Sequence, residues 1–133
     1  PWGNAYTNPA GLIYAIDVSY EVPVTGDWGV DDDTISGGSG ADQIYGGPGD
    51  DRLSGGSGAD QIFGESGDDA IRGGSGDDEL HGDNGTDAVY GRSGKDVLYG
   101  GAGADKLKGG TDPDVCLDTD AKFKGCESIE VEF

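Results

Sequence analysis

The chain has no methionine, one histidine, two cysteines, and eight lysines and arginines against 27 aspartates and glutamates, for a formal net charge of −19. Each scarcity excludes something. With His81 as the single histidine, and with neither an HExxH sequence nor a nucleophile elbow, no catalytic constellation assembles and no enzyme is expected. With cations so outnumbered, no basic patch is expected, and nucleic acid and anionic membranes are poor partners. No apolar run approaches the roughly 18 residues of a membrane span. Gly91-Arg92-Ser93-Gly94-Lys95 looks like part of a phosphate loop, but it lacks the spacing and has Asp96 where Ser or Thr is required. Asp118-Thr119-Asp120 opens like an EF-hand loop that Lys122 and Lys124 then break. Only 33% of the chain is hydrophobic, and low hydrophobicity with high charge describes a disordered chain unless something neutralises the carboxylates. A divalent cation would do so.

What the chain has is glycine, 28 residues of it, arranged in a fixed period. From Gly37 to Lys108 one nine-residue phrase repeats without slipping: GGSGADQIY, GGPGDDRLS, GGSGADQIF, GESGDDAIR, GGSGDDELH, GDNGTDAVY, GRSGKDVLY, GGAGADKLK. The sixth position is always Asp (Asp42, Asp51, Asp60, Asp69, Asp78, Asp87, Asp96, Asp105), the fourth is always Gly and the eighth always a branched aliphatic. Weaker copies at 28–36 and 109–117 keep Asp33 and Asp114, the second with Cys116 in the aliphatic place. A fixed period with a fixed carboxylate marks a solenoid. Each nonapeptide is expected to divide into a six-residue glycine turn and a three-residue strand such as 43–45. Glycine at the first, second and fourth positions would admit backbone that a Cβ penalises, leaving carbonyls in the turn.

Calcium takes six to eight oxygen ligands, and one turn offers a single fixed carboxylate plus a few carbonyls. Two turns stacked at the strand spacing of ~4.8 Å would supply enough, so each site is expected to be shared between turns. The eighth-position residues form two ladders, Ile44, Ile62, Leu80, Leu98 and Leu53, Ile71, Val89, Leu107. So thin a core does not offset the ordering of its chain, and folding and metal binding are expected to be one event.

These residues resemble the RTX (haemolysin-type) calcium-binding nonapeptide repeat family, the match running over 37–108 with the weaker copies on either side. The resemblance implies an all-β fold, a right-handed parallel β-roll solenoid with two nonapeptides per coil. It places calcium between the turns of repeats n and n+2, on the sixth-position aspartates from Asp33 to Asp114 and on turn carbonyls. The first-position glycines are Gly37, Gly46, Gly55, Gly64, Gly73, Gly82, Gly91 and Gly100. Ten turns so paired allow up to about eight Ca²⁺ ions, which would bring the charge of −19 to about −3. Glu65, Asp83 and Arg92 replace the second-position glycine at some conformational cost, and Asp50, Asp68 and Asp77 at the fifth position are expected to face solvent.

Three regions are expected: 1–27, 28–117 (the roll) and 118–133 (a C-terminal strand cap). Residues 12–24 alternate apolar and polar as one long β-strand. Its partner is either the short strand at 128–133, closing an end, or a neighbouring copy of the chain, building a filament; a tether to a further domain is the third option. Tyr45, Phe63, His81 and Tyr99 share one outward face, either a contact surface for protein or surface carbohydrate, or an expression of aromatic strand propensity. The pair Cys116 and Cys126 suggests a disulfide and an oxidising compartment, and Asn84-Gly85-Thr86 is a possible glycosylation sequon. A start at Pro1 suggests a mature product or fragment. The expected function is a secreted structural or adhesive calcium module. The alternative is the calcium-triggered C-terminal part of an exported enzyme or toxin; the ending Glu130-Val131-Glu132-Phe133 loosely resembles the family's C-terminal export signals.

Overall fold

One aliphatic residue between two outward-pointing neighbours makes a strand, and a Gly-x-Asp step after it turns the chain over. A computed structural model shows the result for residues 5–8, 11–17, 32–118, 122–124 and 126–128, with 5–8, 11–17, 122–124 and 127–128 described as backbone. β1 (Ala5–Asn8) and β2 (Gly11–Asp17) precede the repeats. Then come β3 (Thr34–Ser39), β4 (Asp42–Pro48), β5 (Arg52–Ser57), β6 (Gln61–Ser66), β7 (Ala70–Ser75), β8 (Glu79–Asn84), β9 (Ala88–Ser93), β10 (Val97–Ala102), β11 (Lys106–Thr111) and β12 (Val115–Leu117). β13 (Lys122–Lys124) and β14 (Glu127–Ser128) follow.

Successive strands alternate between two sheets, ordered β1-β2-β4-β6-β8-β10-β12-β14 and β13-β11-β9-β7-β5-β3. Within the roll every pairing is parallel and sets residue i opposite i+18: Ile44 opposite Ile62, Leu53 opposite Ile71, Leu80 opposite Leu98. Two nonapeptides therefore make one coil, and the described chain is an all-β parallel solenoid of about five turns, consistent with a β-roll. The strands are longer than the three residues expected. Pairing resumes beyond the first-position glycine, with Gly47 opposite Glu65 and Pro48 opposite Ser66, so most strands span six residues. The turn proper is left with the fourth to sixth positions, such as 58–60.

The interior is the pair of ladders foreseen. Ile44, Ile62, Leu80 and Leu98 are fully buried, as are Ile71, Val89 and Leu107, and Ile35 and Cys116 extend the ladders at the two ends. Cys116 is bonded to Cys126, with Cα atoms 5.8 Å apart.

The ends are built differently from the coils. β2 pairs antiparallel with β4, setting Ile16 opposite Gln43, while β14 pairs parallel with β12. Residues 18–24 and 129–133, which hold most of the long N-terminal strand and of its expected C-terminal partner, lie outside the described residues. At the C-terminal end the register shortens, with Leu107 opposite Phe123 and Cys116 opposite Ser128, as the nonapeptide period lapses.

Charge is also distributed differently from what its total implied. Alternation puts Arg52, Arg72, Lys106 and Lys108 on outward positions of the β3–β13 sheet, all exposed. A basic patch exists after all, because counting cations along the chain ignores which repeats share a sheet.

Candidate metal centre

The sixth-position aspartates are buried, from Asp42 through Asp114, in a chain whose polarity would favour leaving them in water. From Asp51 on, each is placed by the coil before it. The backbone N–H of Asp51 donates to Asp69 Oδ1 at 2.8 Å, that of Asp60 to Asp78 Oδ1 at 2.9 Å, and that of Asp78 to Asp96 Oδ1 at 3.0 Å. The row starts with Asp33 N–H on Asp51 Oδ1 and ends with Asp96 N–H on Asp114 Oδ1. One carboxylate oxygen is thereby spent on holding the side chain.

The other oxygen is left over. Oδ2 of Asp51, Asp60, Asp69, Asp78, Asp87, Asp96, Asp105 and Asp114 is buried with no hydrogen-bond partner. From Asp51 to Asp105 each faces a first-position glycine. A Cβ on Gly46 would lie 2.5 Å from Asp51 Oδ2 and 2.7 Å from the Gly64 carbonyl oxygen; on Gly82 it would lie 2.5 Å from both Asp87 Oδ2 and the Gly100 carbonyl. The same holds along the row: Cβ atoms on Gly37, Gly55, Gly64, Gly73 and Gly91 would collide with Oδ2 of Asp42, Asp60, Asp69, Asp78 and Asp96. The first-position glycine is therefore demanded by space, which differs from the expectation of a special backbone angle. The special angle belongs to the second and fourth positions, and Glu65, Asp83 and Arg92 take it up with φ of 79°, 74° and 91°.

An anionic oxygen and a carbonyl oxygen from the next coil so share a cradle with no donor between them. Burial without a partner raises these carboxyls: Asp69 and Asp78 to about 7, and Asp51, Asp87 and Asp96 to about 6. The N–H from the preceding coil pulls each back, and neighbouring carboxylates push it up again. A divalent cation satisfies such a cradle directly, replacing the missing donor and cancelling the charge. Among the described residues no three acidic, His or Cys side chains converge, so carbonyl oxygens would make up most of each coordination sphere.

Asp118 escaped the sequence reading. It occupies the first position of the register beyond the last weak repeat, and its Oδ2 comes to Gly100 together with Asp105 Oδ2. The last cradle thus holds two carboxylates. Counting nine from Gly109 would have found it.

The fifth-position aspartates are exposed as expected, but they are also structural. Asp50 N–H donates to Asp32 Oδ1 at 3.0 Å, Asp68 N–H to Asp50 Oδ1 at 2.8 Å, and Lys95 N–H to Asp77 Oδ1 at 2.9 Å. Asn84 is exposed at the end of β8, its backbone carbonyl accepting from Gly67. The rings of Tyr45, Phe63, His81 and Tyr99 stack with centroids 5.0, 4.6 and 4.4 Å apart, turning their faces to one another and only their edges outward.

A parallel solenoid whose turns aim buried, unsatisfied carboxylate oxygens at backbone carbonyls is a metal-binding repeat protein. The chain belongs to the RTX calcium-binding nonapeptide repeat family, whose four-copy profile matches residues 27–62, 45–80, 54–89, 63–98 and 81–116. It is a calcium-binding repeat module. No curated protein and no solved structure matches the chain.

Proposed function

We propose that the chain is a secreted structural or adhesive module that folds as it binds calcium. The observation that carries this is the row of buried Oδ2 atoms without partners, in a roll whose core holds one aliphatic side chain per repeat. A fold built around such oxygens is poor without a counter-charge, and the cation provides it. Each ion would sit between one coil's sixth-position Asp and the next coil's first-position carbonyl, for up to about eight ions. The role is mechanical; these carboxylates hold metal and do not trade protons with a substrate.

The disulfide between Cys116 and Cys126 supports an oxidising destination, and favours this reading over a calcium-triggered tail of an exported enzyme or toxin, a class usually poor in cysteine. Self-assembly by strand addition would require β2 to leave its own β4 for that of a neighbour. Far-ultraviolet circular dichroism through a calcium titration is the test. Strand signal should rise cooperatively from a coil in chelator, and a chain equally folded in excess chelator refutes coupled folding. Deleting 1–24 should abolish filaments seen by electron microscopy if strand addition builds them; filaments that survive remove that part of the proposal.

A further inference from the structure

The outward positions of the β3–β13 sheet hold no acidic residue among the described residues, in a chain with 27 of them. Arg52, Arg72, Lys106 and Lys108 stand there exposed, otherwise among Ser, Thr, Ala and Tyr90. Register adds two more cations at the end of the sheet, Lys122 beside Lys106 and Lys124 beside Lys108. Lys106 Nζ lies 5.7 Å from the centre of the Tyr90 ring. Next to it, Tyr90, Arg92, Lys108 and Thr111 line a shallow hollow of about 450 Å³, which offers an incoming carboxylate two cations.

The same molecule carries the complement. Asp32, Asp50 and Asp68 are exposed at 18-residue intervals along one turn edge, each fixed by accepting an N–H from the next coil. Their spacing is that of the coils, ~4.8 Å, and neighbouring strands of the cationic face repeat at that same spacing. Two rolls laid side by side therefore set a row of fixed negative charges against a face on which Arg52 and Arg72 stand on adjacent strands and Lys106 and Lys108 two strands further on. Calcium in the buried cradles would neutralise the interior carboxylates and leave both outer rows charged.

We propose that the cationic face of the β3–β13 sheet docks the Asp32–Asp50–Asp68 edge of a second copy of this chain. The fixed acidic edge carried by the same molecule favours a second copy over nucleic acid, for which the face offers one aromatic ring and no stacking series among the described residues. The contact is heterologous: each copy presents one face and one edge, so association continues beyond a dimer. It depends on the calcium reading only in requiring a folded roll.

Sedimentation velocity of the full chain in calcium tests it. At low salt the chain should associate with rising concentration, and ionic strength of about 0.5 M should weaken this at least tenfold. Lys106→Glu with Lys108→Glu should reduce association about tenfold or more, as should Asp50→Asn with Asp68→Asn, which keeps the Oδ1 acceptors. Lys106→Gln with Lys108→Gln serves if the charge reversal fails to fold, and circular dichroism in calcium reports folding separately from docking. Because the two variants lose opposite halves of the contact, mixing them should restore a complex of one of each. Folded variants that associate like the parent, or a mixture that stays monomeric, overturn the proposal. So does a parent that stays monomeric while its cationic face retains an anionic polysaccharide, which would assign the face to that partner.

Discussion

Asp68 and Asp69 are neighbours in the chain and do opposite things. Asp68 is exposed and reaches forward, its Oδ1 taking the N–H of Thr86 in the next coil. Asp69 is buried and reaches back, its Oδ1 taking the N–H of Asp51 in the previous coil and its Oδ2 left in the cradle of Gly64. The outer row gains a hydrogen bond at little electrostatic cost, since water screens its charge. The inner row makes the same kind of bond and is left with a buried anion that needs a cation. A single residue type thus gives a coil both a fastening and a demand for metal, and the difference lies in one step of chain direction at the turn.

Removing calcium should show the largest contrast. Chelation should cost the roll most of its strand signal in circular dichroism, because all inner-row charges lose their counter-ion together, and a chain that keeps its spectrum would break the distinction. Gly64→Ala strikes one cradle, since its Cβ would collide with Asp69 Oδ2 and the Gly82 carbonyl. It should cost about 1–3 kcal/mol in calcium-bound stability by thermal or denaturant unfolding. Asp69→Asn keeps an acceptor for the Asp51 N–H but removes the anionic oxygen. Its affinity by calorimetric calcium titration should fall roughly tenfold, while the metal-free chain becomes no less folded.

Acid should act on the inner row in a definite direction. Folding raises Asp69 and Asp78 from 3.8 to about 7 and Asp51, Asp87 and Asp96 to about 6. Their contribution to the metal-free roll is therefore fully present below 3.8 and lost as pH rises through 6 to 7. In chelator the strand signal should grow as pH is lowered from 8 toward 4, and calcium affinity should fall over the same interval as protons compete. Asp68 gives the smallest effects. Asp68→Ala should cost about 1 kcal/mol for the lost hydrogen bond, and Asp68→Asn should change stability by less than about 0.5 kcal/mol. An Asp68→Asn variant as damaging to calcium binding as Asp69→Asn would erase the comparison.

The coil was legible because a period of nine with alternating faces admits one stacking, and Ile44, Ile62, Leu80 and Leu98 needed no further information to be placed together. Asp33, Asp42 and their successors were legible as a row for the same reason. Three things were not. Asp68 was read as solvent-facing because its bond to Thr86 N–H depends on side-chain reach between coils, which periodicity does not specify. Asp118 stood outside any recognisable repeat, so its place in the Gly100 cradle followed from register alone. The cationic face was missed because a net charge averages over both sheets, whereas Arg72 and Lys108 fall in repeats of the same parity.

That parity has a consequence for insertions and deletions. Losing 18 residues from the middle would shorten the stack by a coil and leave every remaining row intact. Losing nine would shift everything downstream by half a coil, sending Tyr99 from the row of Tyr45 and Phe63 into the row of Ser54 and Arg72. The hydrophobic interior would tolerate the change, since an aliphatic follows either way, but the outer faces would be scrambled. The length of this molecule can therefore drift in whole coils, and its surface identity survives only in even multiples of the repeat.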